Sequence, residues 1–125
     1  MAGSVHVPWY ATGMRGDKLE AALQEFSPMA LRFGASSYSV YRYRDDRYKF
    51  LQTFTFESKH DWELFWYGPE FSRFRALNQS YYQVPLLYQW ADVSIQGSLG
   101  YDPASGGQPE ASAAPVGAGG DAQAG

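Results

Sequence analysis

Two imidazoles, His6 and His60, are the only side chains in this 125-residue sequence whose ordinary pKa suits proton transfer near neutrality. His60 follows Ser58 closely, in the first turn of a stretch with helical spacing. A cationic ring is disfavoured there by the helix dipole, so it reads as a surface group. His6 lies opposite Val5 and Val7 in an alternating stretch and is the better candidate for a site residue. No carboxylate is spaced with the two histidines as a ligand set, which argues against a first-row metal. The sequence has no cysteine, and with it go the thiol nucleophile, the disulfide and the zinc–thiolate site.

The other chemistry on offer is aromatic. Trp62, Phe65, Trp66, Phe71 and Phe74 recur at helical spacing and could line a pocket that stacks a planar substrate, although rings so spaced more often form plain core. Tyr38, Tyr41, Tyr43, Tyr48, Tyr81, Tyr82 and Tyr88 offer hydroxyls to a substrate carbonyl or phenolate, although packing on a sheet face at a subunit interface accounts more often for such a set. Arg75 and Asn78 stand three apart on one helical face, where they could orient an anionic or carbonyl substrate or simply face solvent. Arg42 and Arg44 alternate with tyrosines, a pattern expected from cross-strand pairing with acids. No glycine-rich loop opens a helix in the phosphate-binding manner, and nothing marks a nucleophile elbow.

These residues need elements to hold them. Val5, Val7, Trp9 and Ala11 alternate with His6, Pro8 and Tyr10, which predicts a strand that is at an edge or bulged at Pro8. Leu19, Ala22, Leu23 and Phe26 predict a first helix, capped by Asp17. A further turn capped by Ser27, with Pro28 in its first position, ends at Gly34. Ser36 to Arg44 and Tyr48 to Phe56 read as a hairpin around the charged turn 44–47, with Phe50, Gln52, Phe54 and Phe56 on one face and Thr53 and Thr55 on the other. Ser58 and Asp61 make a capping box for a second helix, broken at Gly68-Pro69 and continued to about Ser80. A last strand is expected over Tyr82 to Gln96, with Val84, Leu86, Tyr88 and Trp90 on one face and Pro85 at an exposed position.

The element order is β-α-β-β-α-β, the split arrangement of an α+β ferredoxin-like fold with a four-stranded antiparallel sheet. With both helices on one face, the other face is left bare. That face is expected to carry large aromatics, and a second copy of the chain is its expected cover. All four Trp, all eight Phe and nine of the ten Tyr lie between Val5 and Trp90, so residues 1–100 are expected to hold the single domain. Residues 101–125, almost wholly Gly, Ala, Pro, Ser, Gln and acids, are expected to be a disordered tail. The formal charge is −3 with no basic run, which argues against nucleic acid as a partner. No stretch has the apolar length of a membrane span, and the first residues lack a basic segment followed by an apolar core. A cytoplasmic protein is the expectation.

The path Gly34-Ala35-Ser36-Ser37-Tyr38-Ser39-Val40-Tyr41-Arg42, the charged turn, Phe50 to Ser58, Trp62 to Trp66 and Pro69-Glu70-Phe71 together resemble the dimeric α/β-barrel superfamily. Within it the resemblance is to the antibiotic-biosynthesis-monooxygenase-like group, over roughly Val5 to Ile95. The resemblance implies a homodimer whose two sheets form one barrel, and a pocket between sheet and helices in each protomer. It also implies a small aromatic or polyketide-like substrate, oxidised by oxygen with no bound cofactor. In that role Trp66 would stack, Tyr41 or Tyr43 would donate a hydrogen bond, His6 would assist proton transfer, and Trp62, Phe65, Phe71, Arg75 and Asn78 would hold the substrate. Haem-degrading relatives carry a histidine where this sequence has Ala76, and an asparagine on the first strand that is absent here, which argues against haem. A non-catalytic binding module and an isomerase or lyase on the same scaffold are the alternatives.

Overall fold

The computed structural model describes residues 2–99; the expected tail at 101–125 lies outside the described residues. The elements are β1 (Gly3–Tyr10), α1 (Gly16–Phe26), a 3-10 helix (Ser27–Phe33), β2 (Ala35–Arg42), β3 (Lys49–Phe56), α2 (Lys59–Trp66), α3 (Pro69–Leu77), a short 3-10 turn (Gln79–Tyr81) and β4 (Gln89–Asp92). The order across the antiparallel sheet is β2-β3-β1-β4. This is the expected α+β arrangement, with the second helix broken in two. Residues Ser94–Gly125 are set apart as a second unit, and its described residues carry no helix or strand.

One face of the sheet supplies the core. Val5, Val7, Trp9 and Ala11 of the first strand and its extension meet Phe50, Gln52, Phe54 and Phe56 of β3, and all eight are buried. The alternation predicted for both strands therefore holds, because every second side chain is taken from water by the helices. Leu19, Leu23 and Phe26 of α1, Trp62, Phe65 and Trp66 of α2, and Phe71 and Phe74 of α3 cover that face. Phe26 stacks on Phe74 with centroids 4.4 Å apart, and Phe65 lies 5.0 Å from Phe71, so rings rather than aliphatic chains set the spacing of the helical layer.

A single polar relay crosses this core. The Trp9 indole donates to Gln52 Oε1 at 3.1 Å, Gln52 Nε2 donates to Ser27 Oγ at 2.9 Å, and the Ser27 hydroxyl donates to the Leu23 carbonyl at 2.6 Å. Ser27 therefore bonds back into α1 and does not cap the turn that follows. Asp17 likewise lies inside α1, whose N-cap is Arg15 with no side-chain cap. Asp17 and Glu20 instead each accept from Arg42 Nη1 at 2.8 Å. Arg42 also donates through Nε to the Arg47 carbonyl at 2.8 Å and lies 5.1 Å over the Phe50 ring. It thus ties the hairpin to a helix and does not pair across strands, as had been expected of it.

The capping box of α2 is present, with Ser58 Oγ accepting from the Asp61 amide at 3.1 Å. Gly34 closes the 3-10 helix at φ 108°, a left-handed conformation that favours glycine. At Gly68 a Cβ would stand 2.5 Å from the Leu64 carbonyl oxygen, so only glycine lets α3 start this close behind α2. Pro69 then opens α3 at no cost in hydrogen bonds.

Two expectations about the sheet are corrected. β1 is a central strand, and Pro8 is tolerated because its nitrogen faces the side where β4 is missing. Alternation fixes that side: the Ala11 amide donates to the Tyr48 carbonyl toward β3, whereas the Tyr10 carbonyl accepts from Gln83 on the opposite side. The strand expected over Tyr82 to Gln96 shrinks to Gln89–Asp92 plus one isolated bridge, Ala11 with Tyr82. Pro85 falls in the gap opposite Pro8, where neither ring can donate, and the chain from Val84 to Tyr88 leaves the ladder there.

The uncovered face is also less aromatic than expected. Of the large side chains it presents Tyr10 and Tyr41, with Leu51, Lys49 and Pro8, and the rest of its register positions are filled by Ser4, His6, Ser37, Ser39, Thr53, Thr55, Gln89 and Ala91. Tyr38 pairs with Phe54, which puts it on the helix side of edge strand β2.

The relay gives a stability test. Ser27→Ala leaves the Gln52 amide without its acceptor inside a ring-lined core and should cost about 1–3 kcal/mol in urea unfolding followed by tryptophan fluorescence. Ser27→Ala combined with Gln52→Met should cost less than the sum of the two single changes, because both break one network. Strict additivity would show that the relay is not a unit.

Candidate functional site

Two residues of the α2–α3 corner, Arg75 and Trp62, carry polar atoms into the ring layer. Arg75, in the last turn of α3, lays its guanidinium 4.1 Å over the Trp66 ring and 5.1 Å over Phe71. Its Nη2 donates to the Trp66 carbonyl at 2.8 Å and to Ser72 Oγ at 3.3 Å. Its Nη1 is buried with no hydrogen-bond partner, and so is Nε1 of Trp62. Each such donor costs about 1–3 kcal/mol relative to a satisfied one, so two in one corner call for a physical reason. Burial pushes the Arg75 guanidinium below its ordinary value, with Tyr82 and Tyr67 pulling the other way. A cation held over an indole and short of solvent is a ready partner for an anionic oxygen.

Tyr88 closes the corner. It stands edge-on to Trp62 with centroids 5.2 Å apart and lies 5.4 Å from Trp66, while the two indoles are themselves 5.4 Å apart. Its hydroxyl is held above its ordinary value, first by burial and then by the neighbouring Tyr67, with Trp62 pulling the other way. Tyr82 supports Arg75 from below, its hydroxyl donating to the Arg75 carbonyl at 3.1 Å, and burial raises its pKa as well. The wall formed by Val84 to Tyr88 has no ladder pairing, and Val84 and Leu87 are exposed.

The nine residues singled out from the sequence are divided among five places. Trp66 and Arg75 meet at this corner, so Arg75 is not a solvated surface group, and Trp62 adjoins them. Phe65 and Phe71, like Trp62, are fully buried and fill the space between sheet and helices, where the resemblance had implied a pocket. Asn78 ends α3, its Nδ2 donating to the Phe74 carbonyl at 2.8 Å. It lines a groove of about 690 Å3 between α1 and α3, floored by Phe26, Met29, Phe74 and Leu77 and rimmed by Glu25 and Arg73. His6 and Tyr41 lie on the uncovered sheet face, with His6 Nε2 3.0 Å from Ser4 Oγ. Tyr43 sits at the hairpin under the Lys49 ammonium, 4.9 Å from the ring centroid. The sheet separates His6 from Trp66. His60 is exposed, as expected of a first-turn histidine.

Sequence reasoning left Tyr67 out and placed Tyr88 on a strand. Tyr88 reaches the corner because the strand fails at Pro85, and the pair of prolines at positions 8 and 85 was the available signal. Tyr67 follows the last residue of α2 and had no periodic partner to mark it. Among the described residues no three of His, Cys, Asp and Glu are grouped to hold a metal, and no helix is long and apolar enough to cross a membrane.

No protein-family model matches the chain, and no curated protein matches it either. Solved structures do. The chain superposes on PA3566 from Pseudomonas aeruginosa with a TM-score of 0.65 at 17% identity, over 75% of this chain and 95% of that one. For Rv0793 from Mycobacterium tuberculosis the values are 0.66 and 16%, over 78% and 100%. For a crystal structure of an antibiotic biosynthesis monooxygenase they are 0.65 and 10%, over 76% and 100%. At these identities the likeness is one of fold: the described domain is a ferredoxin-like α+β domain of the kind seen in antibiotic-biosynthesis-monooxygenase-like proteins.

Proposed function

We propose that this chain is a homodimeric small-molecule-binding protein that oxidises a planar phenolic substrate with molecular oxygen and without a resident cofactor, at the Trp66–Arg75 corner. One observation carries the reading: the Nη1 donor of Arg75, buried and unpartnered above an indole ring. The name of the monooxygenase of like fold supports the reaction class. The uncovered sheet face, with Tyr41 55% exposed and Tyr10 41% exposed, supports the dimer.

In this scheme the guanidinium, seated on the Trp66 ring, favours loss of the phenol proton to water by pairing with the phenolate. The electron-rich phenolate passes one electron to oxygen, giving a substrate radical and superoxide. Their recombination forms a carbon–oxygen bond at the ring, and the hydroperoxide eliminates water to leave a quinone. One phenol and one oxygen molecule thus become one quinone and one water, so no external reductant enters. Entry to the corner uses the Val84–Tyr88 wall, the one side that no ladder holds.

A thermal-shift series of the full chain tests the binding step. Planar phenols and hydroxyquinones should raise the unfolding midpoint, since a ligand that binds only the folded state stabilises it. Arg75→Met keeps the stem and removes the charge. It should weaken phenolate binding by at least about tenfold, because a hydrogen bond to a charged group contributes about 1.5–3 kcal/mol. Oxygen uptake with the shifting compound, and its loss in Arg75→Met, tests the reaction. If no planar phenol raises the midpoint, the corner is only core and the non-catalytic interaction module takes its place.

The dimer has a separate test. Sedimentation of the full chain at micromolar concentration should give twice the monomer mass. Leu51→Glu, placed between Pro8 and Tyr41 on the open face, should return it to monomer by burying an unpaired charge in the interface. A monomeric parent chain would overturn the face-to-face pairing.

A further inference from the structure

We infer that the groove between α1 and α3 binds a zwitterion with an apolar body, an α-amino acid with a large aromatic or aliphatic side chain. Its two walls carry the same pattern with opposite charge. Glu25, Phe26 and Met29 line one side, and Arg73, Phe74 and Leu77 line the other, each in the order charge, ring, then an aliphatic chain three residues on. Phe26 stacks on Phe74 with centroids 4.4 Å apart, so the two patterns meet at their rings and a charge of each sign stands beside one ring pair. The groove's volume of about 690 Å3 is of the size that takes a small molecule. Leu77 is 75% exposed and Met29 half-buried, which leaves aliphatic surface in water next to the two charges.

Among the described residues the ion pairs are those of Arg42 with Asp17 and Glu20, so Glu25 and Arg73 do not pair with each other or elsewhere. Opposite charges that flank one ring pair without meeting leave a gap that a molecule carrying both signs can span. The ligand carboxylate accepts from the Arg73 guanidinium, its ammonium donates to Glu25, and its side chain lies along Met29 and Leu77. The third charge on the rim, Glu70, is in the first turn of α3, and its Oε1 stands 3.7 Å from where a Cβ on Gly68 would be. It is thus turned back to the helix start, where the dipole favours an acid. Asn78 gives Nδ2 to the Phe74 carbonyl, which leaves its Oδ1 as a further acceptor in the groove. A cation alone would meet Arg73 and an anion alone would meet the acids, so the rim selects against molecules with one charge. Arg73 and Arg75 stand two residues apart on α3 and so face different sides, Arg75 toward Trp66 and Arg73 toward the groove. The site is separate from that corner and does not rest on the oxidation proposed there.

NMR of isotope-labelled methionine methyl groups in the full chain reads the groove directly. Met29 lines it, whereas Met14, 91% exposed in the loop before α1, serves as the internal comparison. Met29→Leu assigns the signal. L-phenylalanine should move the Met29 signal saturably, with a midpoint below about 1 mM at the affinity per atom usual for small ligands, and leave Met14 in place. Glu25→Gln and Arg73→Gln should each weaken that binding about tenfold, since each removes a charge-assisted hydrogen bond. Both side chains are exposed, so both variants should keep the parent fold. Phenethylamine lacks the carboxylate and 3-phenylpropionate lacks the ammonium, and each should bind about tenfold more weakly than the amino acid. The repelling charge then becomes visible: Arg73→Gln should strengthen phenethylamine binding, and Glu25→Gln should strengthen 3-phenylpropionate binding. A Met29 signal that stays fixed, or that moves only in step with Met14, overturns the site. Equal binding of the three compounds would reveal a plain apolar groove, and tighter binding of either singly charged one a site for that charge alone; both outcomes sink the zwitterion. A Met29 signal that shifts with protein concentration alone would put a second copy of the chain in the groove and overturn the proposal as well.

Discussion

The amide of Gln52 is the constraint around which the rest of the domain is arranged. It is fully buried at the centre of β3 amid rings, so both ends of the amide must find partners inside the core or cost several kcal/mol. Its oxygen is met by the Trp9 indole from β1 and its nitrogen by Ser27 at the end of α1. Rings alone tolerate many nearly equivalent packings, since apolar attraction has little direction. A hydrogen-bonded relay does not, and this one registers the neighbouring strand against its partner and the first helix against both. Arg42 performs the matching task at the rim, fastening the far end of the hairpin to the start of α1.

A second constraint comes from two residues that cannot donate. Pro8 and Pro85 face the same gap between β1 and the returning chain, and no ladder can be built across it. The last strand is therefore short, and the freed stretch lets Tyr88 turn inward onto Trp62 and Trp66. A continuous strand over that stretch would have fixed Tyr88 by alternation with its neighbours. The missing ladder and the aromatic corner are thus one structural fact.

This explains which parts of the molecule were legible in the sequence. Alternation in β1 and β3 and the stripe of α1 are written in residue type, because burial on one side imposes a period. The capping box at Ser58 and the break at Gly68-Pro69 are local chemistry and are found where they were read. What was hidden depends on two distant segments at once. Asp17 looked like a cap because nothing nearby announced Arg42, twenty-five residues on. Ser27 looked like a cap because its partner, Gln52, was equally remote. Arg75 looked like a surface residue until Trp66, across the helix break, proved to be the ring beneath it. The tyrosines were readable as a set and unreadable one by one, since which phenol enters the core is decided by where the ladder stops.

The division of polar groups between the two faces also limits the chemistry open to one protomer. His6 and the Trp66–Arg75 corner are on opposite sides of the sheet, so no imidazole reaches a molecule seated against the indole. A reaction at that corner cannot rely on a histidine base. It must lower the barrier to proton loss by stabilising the anion produced, which is the task a buried cation with a free donor is suited to. That the cation is an arginine also matters. A lysine in the same surroundings would shed its proton under burial and lose its charge, whereas a guanidinium keeps the charge and presents donors on two nitrogens at once. One nitrogen, Nη2, is spent on the Trp66 carbonyl and Ser72, which fixes the plane of the group over the indole; the other, Nη1, has no partner. The same arrangement that holds Arg75 still therefore aims its remaining donor.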